Sequence, residues 1–218
     1  MAVRFITKPA AHFGLPYALY VPAGEPPKKG WPLVAFLHGA GERGGDGVKQ
    51  TMVGLGPAIK KSPEQWPAIV FMPQCPEGLF WHGEVLEAVF HSLLSVENSH
   101  PVDQSRIYLT GLSMGGHGTW NLATAHPEHF AALAPICGGA DPFRVRWLLP
   151  KDLPIWIFHG DADRVVPVSH SRVLLEGLKL AGKTEVNYTE YPDIGHNCWD
   201  LAYQDTRFIH WLFSQKKA

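Results

Sequence analysis

The stretch Leu109-Thr-Gly-Leu-Ser-Met-Gly-Gly116 decides how this chain is read. Before its centre, Arg106-Ile-Tyr-Leu-Thr-Gly111 is a short apolar run of β-favouring residues. After it, residues 114–126 carry Met114, Trp120, Leu122 and Ala123 at near-helical spacing. A strand must therefore turn sharply into a helix at Ser113, the centre of a G-x-S-x-G pentapeptide. Gly111 and Gly115 lack the Cβ atoms that would collide across so tight a turn. The turn exposes the Ser113 hydroxyl at the C-terminal edge of a sheet and aims the Met114 backbone N–H beside it. A flexible glycine–serine loop could share the pentapeptide, but not the strand before it and the helix after it.

Working outward, short apolar runs alternate with helical patterns along the whole chain. The runs are 17–21, 33–37, 68–72, 107–110, 131–136, 155–158 and 186–191, and the helical stretches are about 48–61, 83–97, 114–126, 167–181 and 199–214. Such alternation predicts an α/β fold, a mostly parallel twisted sheet with helices on both faces. Runs 33–37 and 155–158 are almost unbrokenly apolar, as strands covered on both sides are. Proline and glycine fall at the boundaries, and there is no internal repeat, low-complexity tract or composition break. Residues 1–218 are thus expected to form a single domain. The longest irregular stretch, 138–153, is too short for a separate lid.

Composition narrows the function classes. The chain has 218 residues, 45% hydrophobic and 18% charged, with a formal net charge of −1. No basic or acidic block points to nucleic acid or an anionic membrane. No apolar run approaches the roughly eighteen residues that span a bilayer. The first nine residues lack the apolar core of a signal peptide, so a cytoplasmic protein is expected. Cys75, Cys137 and Cys198 are too few and too scattered for a disulfide framework or a zinc site. Cys75 and Cys198 both follow strands, and are expected near each other at the site as reduced thiols.

Ligands of an open α/β sheet bind beyond the carboxyl ends of its strands, so the segments after strands hold the candidates. After 33–37 comes His38-Gly-Ala-Gly-Glu-Arg-Gly-Gly45, a turn in which Ala40 can offer a second backbone N–H beside that of Met114. After 155–158 comes His159-Gly-Asp-Ala-Asp163, with Asp163 placed to orient a histidine and Asp161 to tie its turn. After 186–191, His196 lies in a glycine-opened loop before the last helix. His117, His126 and His129 are read as structural, and His38 and His159 as braces of their own turns. His82 has no argument in its favour. The chain order Ser113, Asp163, His196 is that of nucleophile, acid and base in an α/β-hydrolase.

These segments resemble the α/β-hydrolase superfamily across essentially the whole chain. The group they are most similar to is the small carboxylesterases described as predicted peptidase, phospholipase/carboxylesterase or dienelactone-hydrolase-like. The residues that carry the resemblance are His38-Gly-Ala-Gly-Glu-Arg-Gly44, Pro73-Gln-Cys-Pro76, Gly111-Leu-Ser-Met-Gly115, His159-Gly-Asp-Ala-Asp163 with Val166-Pro167, and Gly195-His-Asn-Cys-Trp199. The resemblance implies a serine hydrolase fold and mechanism but not a substrate.

The expected activity is hydrolysis of a small carboxylic ester, short-chain, aryl or sugar-linked, with Ser113, Asp163 and His196 catalytic and Ala40 and Met114 forming the oxyanion hole. No metal or organic cofactor is called for. Trp81, Phe143, Trp147 and Trp199 are expected walls of the substrate cleft, and Glu42 and Arg43 a local ion pair rather than readers of a polar substrate group. A peptidase, a thioesterase or a lactone hydrolase of the same fold is an alternative. So is a non-catalytic binding protein on this scaffold.

Overall fold

Leu33, Ala35 and Leu37 alternate with Val34 and Phe36 along one strand, and all five are fully buried. Successive strand side chains point to opposite faces, so this strand needs cover on both sides. Leu33, Ala35 and Leu37 join one core with Leu86, Val89 and Leu93, while Val34 and Phe36 join another with Leu55, Ile59 and Phe208. In the computed structural model, which describes residues 4–9, 14–150 and 152–217, the strand is β3 (Trp31–Leu37).

The other strands are β1 (Phe5–Lys8), β2 (Tyr17–Tyr20), β4 (Ile69–Pro73), β5 (Val102–Leu112), β6 (Ala132–Ile136), β7 (Ile155–Gly160) and β8 (Val186–Tyr191). They form one sheet in the order β1-β2-β4-β3-β5-β6-β7-β8. The β1–β2 and β2–β4 pairs are antiparallel, and every other pair is parallel. Helices α2 (Glu84–Ser99), α3 (Met114–Ala125) and α5 (Ser169–Leu180) cover one face, and α1 (Leu55–Lys61) and α7 (Thr206–Ser214) the other. The chain moves outward from β3 to β4, crosses back to β5, then continues through β6, β7 and β8. Its direction therefore reverses between β3 and β5. In an open α/β sheet the ligand crevice lies at that reversal.

All seven expected runs are strands, with differences at the margins. The added strand, β1, is a largely exposed antiparallel edge with no apolar run to mark it. β5 begins at Val102, five residues before the expected run, because Val102 pairs with Trp31 across a register shift. The 48–61 stretch divides into a 3-10 turn (Lys49–Met52) and α1, parted by Gly54 at φ 55°. The 199–214 stretch divides into α6 (Trp199–Ala202) and α7, because Asp205 is extended and caps α7 by accepting the Arg207 N–H at 2.9 Å. The supposedly irregular 138–153 stretch contains α4 (Pro142–Leu148), started by an Asp141 cap and Pro142. Among the described residues no helix is long and apolar enough to cross a membrane.

Candidate active site

Ser113 sits between the end of β5 and the start of α3 with φ 54° and ψ −117°, a backbone region that is costly for any residue with a Cβ. The two flanking glycines make the turn possible. A Cβ on Gly111 would lie 2.3 Å from the Gly115 carbonyl oxygen, and one on Gly115 only 1.8 Å from that of Leu37. Side chains there would force β3, β5 and α3 apart. The surrounding backbone holds the strained residue, because the Ser113 N–H donates to Ile136 O at 2.9 Å and the His117 N–H to Ser113 O at 3.1 Å.

β7 and β8 bring the other two expected residues to this hydroxyl. His196 Nε2 lies 2.8 Å from Ser113 Oγ, and His196 Nδ1 lies 2.7 Å from Asp163 Oδ2. The carboxylate can only accept, so Nδ1 carries the ring proton and Nε2 accepts from the serine hydroxyl. Asp163 is buried, while the His196 side chain is 19% exposed. Burial alone would raise the Asp163 carboxyl. The hydrogen bonds from His196 and from the Val166 and Val165 N–H groups outweigh it and hold the carboxyl below the usual range. Asp161 Oδ1 accepts the Asp193 N–H at 2.8 Å, which ties the β7 loop to the β8 loop that carries His196.

His159 braces more than its own turn. Its Nε2 faces both the Val166 carbonyl, at 2.9 Å, and Asp163 Oδ2, at 3.2 Å, so that nitrogen carries the proton. Its Nδ1 then accepts from Ser171 Oγ at 2.7 Å. Burial lowers its pKa and keeps the ring neutral. Asp163 Oδ2 is thus held by two imidazoles.

The turn after β3 is fixed in a comparable way. His38 Nδ1–H donates to the Gly39 carbonyl at 2.6 Å, and Nε2 accepts the Cys75 N–H at 2.9 Å. Trp81 Nε1–H donates to the His38 carbonyl at 2.9 Å. Burial lowers the His38 pKa to about 4, which keeps it neutral in this role. A Cβ on Gly39 would lie 3.8 Å from the Ser113 Cβ, so the turn abuts the serine. Ala40 opens a 3-10 turn (Ala40–Glu42) and Met114 opens α3. N–H groups at a helix start have no carbonyl one turn earlier to bond.

A cleft of about 330 Å³ opens beside the serine, lined by Phe80, Trp81, His82, Met114, His117, Asn121 and Val166. Of the four aromatic residues expected there, Trp81 lines it as a buried wall. Trp199 is not among its lining residues; its ring stands perpendicular to that of His196 at 5.4 Å. Phe143 is exposed on α4 and is not among the cleft's lining residues. The Trp147 side chain lies outside the described residues. Phe80, His82, His117, Asn121 and Val166 went unread as binding residues. The spacing of Met114, His117 and Asn121 on one face of α3 was the available signal.

Two further expectations are corrected. No ion pair joins Glu42 to Arg43: the Arg43 guanidinium lies 4.4 Å over the Phe80 ring and donates to Met114 Sδ at 3.2 Å. Glu42 instead approaches His38 Nδ1 at 3.9 Å. Cys75 and Cys198 belong to cores on opposite faces of the sheet. All three thiols are free and buried. Cys198 neighbours Cys137, whose thiol lies within 4.8 Å of the Asp163 and His196 ligand atoms. Burial, Cys198 and the Asp163 charge push the Cys137 pKa well up, so it stays a thiol there.

The sheet order and a serine, histidine and aspartate meeting beyond its carboxyl edge define an α/β-hydrolase. The family model for phospholipase/carboxylesterase proteins matches residues 86–210. The chain belongs to that family. It is 27% identical over 200 residues to a poly(3-hydroxyoctanoate) depolymerase of Pseudomonas fluorescens, a match covering 75% of this chain and 69% of the depolymerase. Among solved structures, a thermostable esterase superposes with a TM-score of 0.88 at 38% identity, covering 99% of this chain; the chain spans 63% of that esterase. The feruloyl esterase module of Clostridium thermocellum, solved with sinapinate, shares the fold with a TM-score of 0.76 at 15% identity, over 95% of this chain and 88% of the module.

Proposed function

We propose that this chain hydrolyses carboxylic esters through an acyl-enzyme on Ser113. The single observation that carries the reading is the continuous hydrogen-bonded path from Ser113 Oγ through His196 to Asp163, at 2.8 and 2.7 Å. His196 Nε2 takes the hydroxyl proton as Oγ attacks the ester carbonyl. Asp163 keeps the ring in the tautomer that can accept it and stabilises the resulting imidazolium. The N–H groups of Met114 and Ala40 hold the developing oxyanion, each contributing on the order of 10²–10³ in rate. His196 then returns the proton to the leaving alcohol, and a water that it activates releases the acid.

The shape and lining of the cleft support a substrate class. Aromatic and thioether walls over about 330 Å³ fit a short acyl chain or a single aryl ring better than a long lipid. An aryl or hydroxyacyl ester also agrees with the feruloyl esterase and depolymerase relatives. Three buried, unbridged thiols favour action in a reducing compartment such as the cytoplasm. Ser113→Ala is expected to abolish hydrolysis of p-nitrophenyl butyrate while leaving the circular dichroism spectrum unchanged. Hydrolysis retained by that variant would overturn the reading.

A further inference from the structure

The cleft beside Ser113 is mainly apolar, and this makes its polar groups informative. Asn121 Nδ2 donates to the Trp81 carbonyl at 3.2 Å, and His82 is exposed at the rim. His117 differs from both. The Gly139 N–H donates to its Nδ1 at 3.1 Å, which places the ring proton on Nε2. Among the described residues this Nε2–H has no partner, although the ring is half-buried and lines the cleft. Burial lowers the pKa of His117, so the ring is a neutral donor near pH 7. Its backbone N–H is bonded to the carbonyl of Ser113, which fixes the ring relative to the nucleophile.

We propose that His117 Nε2–H is a specificity determinant: it reads a hydrogen-bond-accepting oxygen, hydroxyl or alkoxy, on the half of the ester that occupies this cleft. The proposal rests on the ester-hydrolase reading above. A donor of fixed direction among Phe80, Trp81, Met114 and Val166 is left unpaired when a purely hydrocarbon group fills the cleft. It is satisfied when an oxygen lies in reach, and a site of this kind discriminates against the analogue without the oxygen. The acceptor can belong to the acyl group or to the alcohol, and two substrate pairs separate these cases.

The experiment compares kcat/KM within each pair for the native protein and for His117→Phe. One pair is p-nitrophenyl 3-hydroxybutyrate against p-nitrophenyl butyrate, and the other is 2-methoxyethyl butyrate against n-butyl butyrate. Intrinsic reactivity cancels when the same ratio is compared between two proteins. A purely structural defect lowers both members of a pair together and leaves the ratio alone. The expected result is a roughly 3- to 10-fold fall in the oxygenated-over-plain ratio for one pair in the variant, as for the loss of one hydrogen bond. The pair that responds identifies the half of the ester. If His117→Phe does not fold, His117→Leu serves, since it also removes the donor with a smaller side chain. Ratios unchanged in both pairs would overturn the assignment to His117. No turnover of any of the four esters by native protein would overturn the ester-hydrolase reading itself, and this proposal with it.

Discussion

At the scale of single residues, Ser113 has its half-buried position at the tip of the turn because Gly111 and Gly115 yield space that no side chain could share. The overlap at Gly115 is with backbone, the Leu37 carbonyl 1.8 Å from a built Cβ, and cannot be relieved by a rotamer change. Gly115→Ala is therefore expected to cost about 3 kcal/mol, read as a lower urea midpoint, with turnover lost as well. A variant with the native midpoint would contradict this account of the turn. These glycines and the serine were legible in the sequence because the pentapeptide has strand on one side and helix on the other. The place of His117 in the cleft lining was not, since a histidine one turn into a helix looks structural until the loop that bonds its Nδ1 and the cleft it lines are both seen. Cys75 and Cys198 were misplaced for a related reason. Following a strand says which edge a residue occupies, but not which face of the sheet.

At the scale of elements, the strands that carry the site were the easiest part to read. β3, β5 and β7 are buried on both faces and give apolar runs, whereas β1, an exposed edge of four residues, gives none. Helix boundaries depended on caps. Asp205 was visible as a capping residue type, yet the apolar pattern on either side of it masked the break between α6 and α7. That cap makes a clear prediction. Asp205→Ala removes the acceptor for the Arg207 N–H and should cost about 1 kcal/mol, lowering the calorimetric midpoint by roughly 2–4 °C. The exposed Arg207–Asp205 ion pair adds little to this. An unchanged midpoint would mean that α7 is held by its packing alone.

At the scale of the whole molecule, the groups that order the site also set how stability varies with pH. Burial lowers the pKa of His38, His117, His126 and His159 in the folded chain, and His38 falls from 6.5 to about 4. The unfolded chain takes up protons on these rings below about pH 6.5, where the folded chain does not. Their contribution is therefore complete above pH 6.5 and is lost as pH falls through the folded values. For His38 alone that loss approaches about 3 kcal/mol by pH 4. Urea midpoints should be level from pH 7 to 8 and decline steadily between pH 6.5 and 4. A flat profile across the acid range would contradict the neutral state assigned to His38, His117 and His159. The Asp163 carboxylate, held below its usual range, opposes unfolding until still lower pH.

The central claim is that the fold activates one serine among all those in the chain. Its most direct measurement is reaction of the native protein with a fluorophosphonate probe, followed by intact mass and peptide mapping. The account predicts a single adduct per chain on the peptide containing Ser113, and none in Ser113→Ala or, on the same timescale, in His196→Ala. A folded native protein that takes up no probe, or takes it up on another residue, would contradict it.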